Sequence, residues 1–148
     1  MNVIKGLLSL LGRVMIAAIF LMSAVAGKIP NLNGTVEKMA AEGVPSPTIL
    51  LWGAIAFLIL GSLSIVLGYK GRLGALMLLI FLAAATYYFH DFWKLPVDAD
   101  PAVKQDEVIA FMKNVALMGT MVFLLANGTG PWSLDNRGQP VAESVDEG

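Results

Sequence analysis

The chain has 148 residues, 57% of them hydrophobic and 14% charged, with a mean hydropathy of +0.72; soluble domains usually carry about a quarter charged residues, so an ordinary water-exposed surface is excluded. The net charge is −1, from 10 basic and 11 acidic residues, which excludes a basic face able to follow a nucleic-acid backbone. With no cysteine and one histidine, the chain cannot form disulfides, thiolate metal sites, Cys-ligated iron–sulfur clusters or bis-histidine haem within one copy.

A membrane span needs about 20 apolar residues. Four stretches qualify: residues 6–27, 48–68, 73–93 and 108–127. In lipid every backbone N–H and C=O must pair inside its own segment, so these spans are predicted helices. The expected fold is all-α: an integral membrane four-helix bundle over residues 1–138, a short interfacial helix in the first loop, and a disordered polar tail over 139–148.

The first span is interrupted only by Arg13, roughly 5 Å from the midplane at about 1.5 Å per residue. A charge there either snorkels to the near surface or finds a partner. Asp135 lies just past span four on the same side, so an Arg13–Asp135 pair is a candidate structural clasp. Ala24-Val25-Ala26 would suit a signal-peptide cleavage site, but the apolar residues before Arg13 make the segment long enough to span. Lys28 closes it. In the loop KIPNLNGTVEKMAAEGVPSP, Thr35 is expected to cap a short helix ending at Gly43. Val36, Met39 and Ala40 fall on one face of it, as in a helix lying at the lipid surface.

Ser46-Pro47 predicts the N-cap and first residue of the second helix, which holds no charge and stops at Gly68. YKGR then forms a tight turn into span three, which ends in TYYFHDFW. Tyr87, His90, Asp91 and Lys94 share a face if the helix continues. Lys113 and Asn114 lie inside span four, where Asp91 could meet Lys113. Together with Lys28 they make a candidate ligand-binding set: Tyr87, His90, Asp91, Lys113, Asn114 and Lys28. Three readings compete. Aromatic rings gather where lipid meets water, and a His-Asp at a helix exit can simply be solvated. The same cluster could hold a small molecule or a quinone headgroup. A metal or haem is the weakest reading, because one histidine supplies too few ligands. No metal site is assigned.

Asp100-Pro101 starts the fourth helix before its apolar part, so it should protrude into water. Ser23/Gly27, Ser64/Gly68 and Ala116/Thr120 are small-residue pairs that would let helices approach. GTGPWS lacks the third glycine of a dinucleotide fingerprint and follows a membrane helix, not a strand. Gly128, Gly130 and Pro131 stop the helix, and Trp132 can anchor at the interface. No catalytic triad, paired carboxylates or phosphate loop is present, so no catalytic residue is assigned. Basic residues are balanced between the two sides, but the short turn with Lys70 and Arg72 has no acid, which places both termini in the cytoplasm.

GRVMIAAIFLMSAVAGKI, AAEGVPSP, LGYKGRLGAL, FHDFW and KNVALMGTMVFLLANGTGPWSLD together resemble the DoxX family of small membrane proteins, from about Gly12 to Asp135. The most specific features are the arginine-to-lysine spacing of span one and the closing G-x-G-x-x-S-L-D. The resemblance implies four transmembrane helices in a bacterial inner membrane. It carries over Arg13, Lys28, His90, Lys113, Ser133 and Asp135. Related proteins include a subunit of a thiosulfate:quinone oxidoreductase and members linked to assemblies with superoxide dismutase and a sulfurtransferase. The implied role is a membrane subunit or docking partner of a redox assembly, not an enzyme on its own. A quinone-interacting subunit and a non-redox scaffold or lipid binder are the alternatives. The implied partners are the lipid bilayer, a soluble redox protein and further copies of the chain. Family members often carry an acid in the second span; here none occurs between Glu42 and Asp91.

Overall fold

The structure is a computed structural model that describes residues 3–137; the expected tail over 139–148 lies outside them. Helix α1 is Val3–Met22. It does not stop at Gly27. The path continues through a wide π-helical turn, Ser23–Lys28, and a tight 3₁₀ turn, Ile29–Asn31, into α2, Leu32–Ala41. Pro30 has no N–H to give the preceding turn, and its ring crowds the carbonyl four residues back. A widened and then tightened turn absorbs that defect without ending the helix.

In α2 the Thr35 hydroxyl donates to the Asn31 carbonyl at 2.7 Å, so Thr35 sits inside the helix instead of capping it. The apolar face agrees with the expected one at Val36 and Met39 and departs from it at Ala40. Met39 is buried with Val44, Leu51 and Ile55, and Leu32 and Val36 pack beside them, while Ala40 is exposed. The short helix thus lies on the next span.

Helix α3 is Pro47–Leu67, with Pro47 at its first turn as expected. Ser46 makes no side-chain cap; it is left-handed at φ 46°, and its carbonyl receives the Ile49 and Leu50 amides. Gly68 ends α3 at φ 63°, and the Gly68 and Tyr69 amides return to the Ile65 and Ser64 carbonyls. This is the left-handed stop that glycine makes cheaply. Helix α4, Gly71–Phe89, packs on α3 through Gly61 and Gly74. A Cβ on Gly74 would come within 2.8 Å of the Gly61 carbonyl oxygen. Helix α5 is Pro101–Asn127; the Asp100 carboxylate accepts the Ala102 amide at 2.8 Å and caps it.

Neighbours follow the chain: α1 lies on α3, α3 on α4, and α4 on α5. Phe20, Leu58, Leu78, Leu82 and Met121 meet at the centre. Outside, large apolar side chains such as Met15, Ile49 and Phe123 stand exposed. In water so much bare apolar surface would aggregate. All four long helices are apolar enough to cross a bilayer, and the protein is a multi-pass membrane protein whose bare faces contact lipid.

Candidate functional site

Polar side chains gather at both ends of the bundle. At the end remote from the N-terminus lies a chamber of about 710 Å³ between the π-helical turn, α2, α3 and α4. Small residues create the space: Ser23 and Gly27 on the π turn, Gly53 and Ala54 on α3, Ala84 and Ala85 on α4. Phe57 and Phe81 add aromatic wall. Ser23/Gly27, expected to bring helices together, instead faces open volume; a Cβ on Gly27 would meet only the Met22 carbonyl oxygen at 3.9 Å.

The polar groups in this lining are Ser23, Lys28, Thr35, Lys38, Tyr88, His90 and Asn114, with no carboxylate among them. Lys28 Nζ donates to Ser23 Oγ at 2.8 Å and lies 5.2 Å from the Phe81 ring centroid. Its charge is met by a hydroxyl and an aromatic face. Lys38 Nζ sits 5.6 Å from the Phe89 ring centroid. Asn114 Nδ2 donates to Thr86 Oγ1 at 3.0 Å, joining α5 to α4.

The expected set is divided. Lys28, His90 and Asn114 line the chamber; Tyr87, Asp91 and Lys113 do not. The face shared by Tyr87, His90, Asp91 and Lys94 is broken because α4 ends at Phe89, and His90 leaves helical geometry at φ −129°. His90 Nδ1 turns to Glu107 Oε2, 3.1 Å away on α5. Asp91 pairs with Lys94 three residues on, not with Lys113, which is exposed. Lys94 Nζ also lies 5.7 Å from the centroid of the exposed Tyr87 ring. Neither Glu107 nor Thr86 stands out in the sequence as a site residue. The early start of α5 was the available signal for Glu107, since it puts that acid within reach of the α4 exit.

The opposite end is closed. After Gly128 ends α5 at φ 74°, residues 129–137 fold back under the bundle. Arg13 is 2% exposed and does not snorkel. Its Nη2 donates to the Trp132 and Pro131 carbonyls at 3.0 and 3.4 Å, and its Nε to the Ser9 carbonyl at 3.3 Å. Asp135 takes the Lys70 and Gly71 amides at 2.8 and 2.9 Å, and so caps α4 from far away in sequence. Arg13 and Asp135 therefore meet through the backbone of one segment and not as a direct ion pair. Two orphan amides at a helix start favour a carboxylate, and Asp135 is placed by its own amide, 2.7 Å from the Gly68 carbonyl. Trp132 lays its ring over Gly6, and Ser133 presses on Gly68; a Cβ at either glycine would overlap them. Gly128, Ser133 and Asp135 of the closing G-x-G-x-x-S-L-D each have a structural role here.

The DoxX family profile matches residues 8–91. Two proteins of Escherichia coli strain K12 are similar over most of the chain. Inner membrane protein YphA is 29% identical over 133 residues, covering 90% of this chain and 91% of its own. Inner membrane protein YqjF is 29% identical over 126 residues, covering 85% and 88%. No solved structure matches.

Proposed function

We propose that this chain, which belongs to the DoxX family, is a membrane subunit that holds one amphiphilic small molecule in the chamber between its π-helical turn, α2, α3 and α4. One observation carries the reading. A volume of about 710 Å³ with mostly apolar walls receives Lys28, His90 and Asn114 from three different elements. Small-molecule sites usually occupy about 300–1,000 Å³ and combine apolar walls with a few convergent polar groups. Names of the relatives favour an inner-membrane location, and the acid-free turn with Lys70 and Arg72 favours cytoplasmic termini.

The redox form of this reading takes a quinone as the occupant, its ring among the aromatic walls and its carbonyls facing the nitrogen donors. The chain has no cysteine, so electrons for such a ligand would come from a soluble partner docked on the bundle. In that form the protein is a ligand-holding subunit, not an enzyme by itself.

The test is calorimetric titration of the purified protein in detergent with a short-chain quinone analogue and with a neutral single-chain amphiphile. At least one should bind saturably. Gly53→Leu fills the chamber from a position with nothing within 4 Å, and should abolish that binding. Lys113→Ala, outside the chamber, should leave it intact. Binding that survives Gly53→Leu would remove the chamber from the account.

A further inference from the structure

The chamber is open to the surface yet lined by charge of one sign. Lys28 and Lys38 both contribute to its wall, and no Asp or Glu does. Neither lysine is among the ion pairs of the described residues, which join His90 to Glu107 and Lys94 to Asp91. Lys28 is the deeper of the two by exposure, half-buried where Lys38 is exposed. A half-buried ammonium beside a hydroxyl and a phenyl ring still has donor capacity to spare, because –NH₃⁺ carries three protons and Ser23 takes one. Placing a cation in an apolar wall is costly unless an anion or a dipole comes to it. The walls formed by Gly53, Ala54, Phe57 and Ala84 offer nothing polar to an occupant's other end.

From this we infer that the occupant is a single-chain amphiphile with an anionic head, a carboxylate or a phosphate monoester. Its head meets Lys28, Lys38 adds positive charge to the same wall, and its chain lies against α3 and α4. The inference rests on the chamber reading above and narrows it: a neutral-headed molecule such as a quinone becomes the weaker ligand. The π-helical turn is what makes it work, since it carries Ser23, Gly27 and Lys28 together on one widened loop of helix. Charge-assisted hydrogen bonds to an anionic head are stronger than those to a neutral carbonyl.

Native mass spectrometry of the full chain in detergent tests this with three probes: oleate, methyl oleate and a lysophosphatidate. Oleate or lysophosphatidate should give one saturable adduct, and methyl oleate should bind about tenfold more weakly or less. The double substitution Lys28→Gln, Lys38→Gln should weaken the anionic probes by about tenfold or more and leave methyl oleate unchanged. A preference for either acid supports the anionic head and identifies it. Equal binding of oleate and its methyl ester, or indifference to the lysine substitutions, overturns the inference while the chamber reading stands. No saturable adduct with any of the three overturns the inference and leaves the chamber reading to the quinone titration. Lys28→Arg, which keeps the charge, separates lost recognition from lost folding by retaining the anionic preference.

Discussion

The two ends of this bundle solve opposite problems with similar residues. At the junction beneath α1, polar groups turn largely to backbone: buried Arg13 to carbonyls, exposed Asp135 to amides and half-buried Ser9 Oγ to the Thr129 carbonyl at 3.0 Å, while buried Arg13 Nη1 and Ser133 Oγ have no hydrogen-bond partner among the described residues. Glycines there leave room for another chain segment to touch the backbone. At the remote end, glycines and alanines leave room for nothing the chain itself supplies. Lys28 has one side-chain acceptor, and about 710 Å³ stays open. A closed end and an open end on one rigid bundle point to anchorage at the first and traffic at the second. Binding sites are commonly placed on the looser part of a rigid scaffold.

The sharpest way to break the contrast is to make one substitution at both ends. Gly68→Leu places a side chain at φ 63° and drives it into Ser133 and the Arg13 guanidinium. Strain and overpacking act together, and the loss should be about 4 kcal/mol or more, read as a collapse of the thermal midpoint or of folded yield in detergent. Gly53→Leu, in mid-helix and meeting nothing within 4 Å, should leave the midpoint unchanged or raise it, since leucine favours helix over glycine by up to about 1 kcal/mol. Equal damage at both positions would mean that the chamber is not a void.

Arg13→Met comes next in size. It leaves the Pro131 and Trp132 carbonyls without their donor, at about 1–3 kcal/mol for the unsatisfied groups. The gain from no longer holding a charge inside a span offsets part of that. The net loss should be smaller than for Gly68→Leu. It should be localised: proteolysis or hydrogen exchange should loosen residues 129–137 first and leave the α3–α4 contact protected. Global unfolding with no such order would show that Arg13 does more than fasten this segment.

Much of this was readable in advance, for local reasons. The spans follow from runs of apolar residues, and Gly68 and Pro47 act through their own backbone limits. What was missed depends on segments far apart. No periodicity reveals that Asp135 will cap a helix 64 residues upstream. Nothing local in the sequence shows that the chain passes Pro30 by a π-to-3₁₀ path and that α2 then packs on α3. A chamber has no residue of its own. Its nearest sequence sign was the small pairs Gly53-Ala54 and Ala84-Ala85 on facing helices, which look the same as close-packing motifs until their partners are known. The aromatic exit of span three drew attention to His90 and Asp91, but ending α4 at Phe89 sends the two in different directions.

The smallest expected effect bears on that exit. His90 and Glu107 are each about one-third exposed, at 32% and 33%, and their 3.1 Å contact joins the end of α4 to α5 on the rim of the chamber. A contact so accessible to solvent contributes about 0–1 kcal/mol, because water competes for both partners and two side chains must be held still. Glu107→Gln keeps an amide able to bond to the imidazole, so the thermal midpoint in detergent should barely move. If Glu107→Gln costs several kcal/mol, the open end is clamped as firmly as the Arg13 junction, and looseness there could no longer explain how a ligand reaches Lys28. If the cost is small, the α4–α5 exit can yield without unfolding the bundle, while the central core and the closed end keep the helices in register.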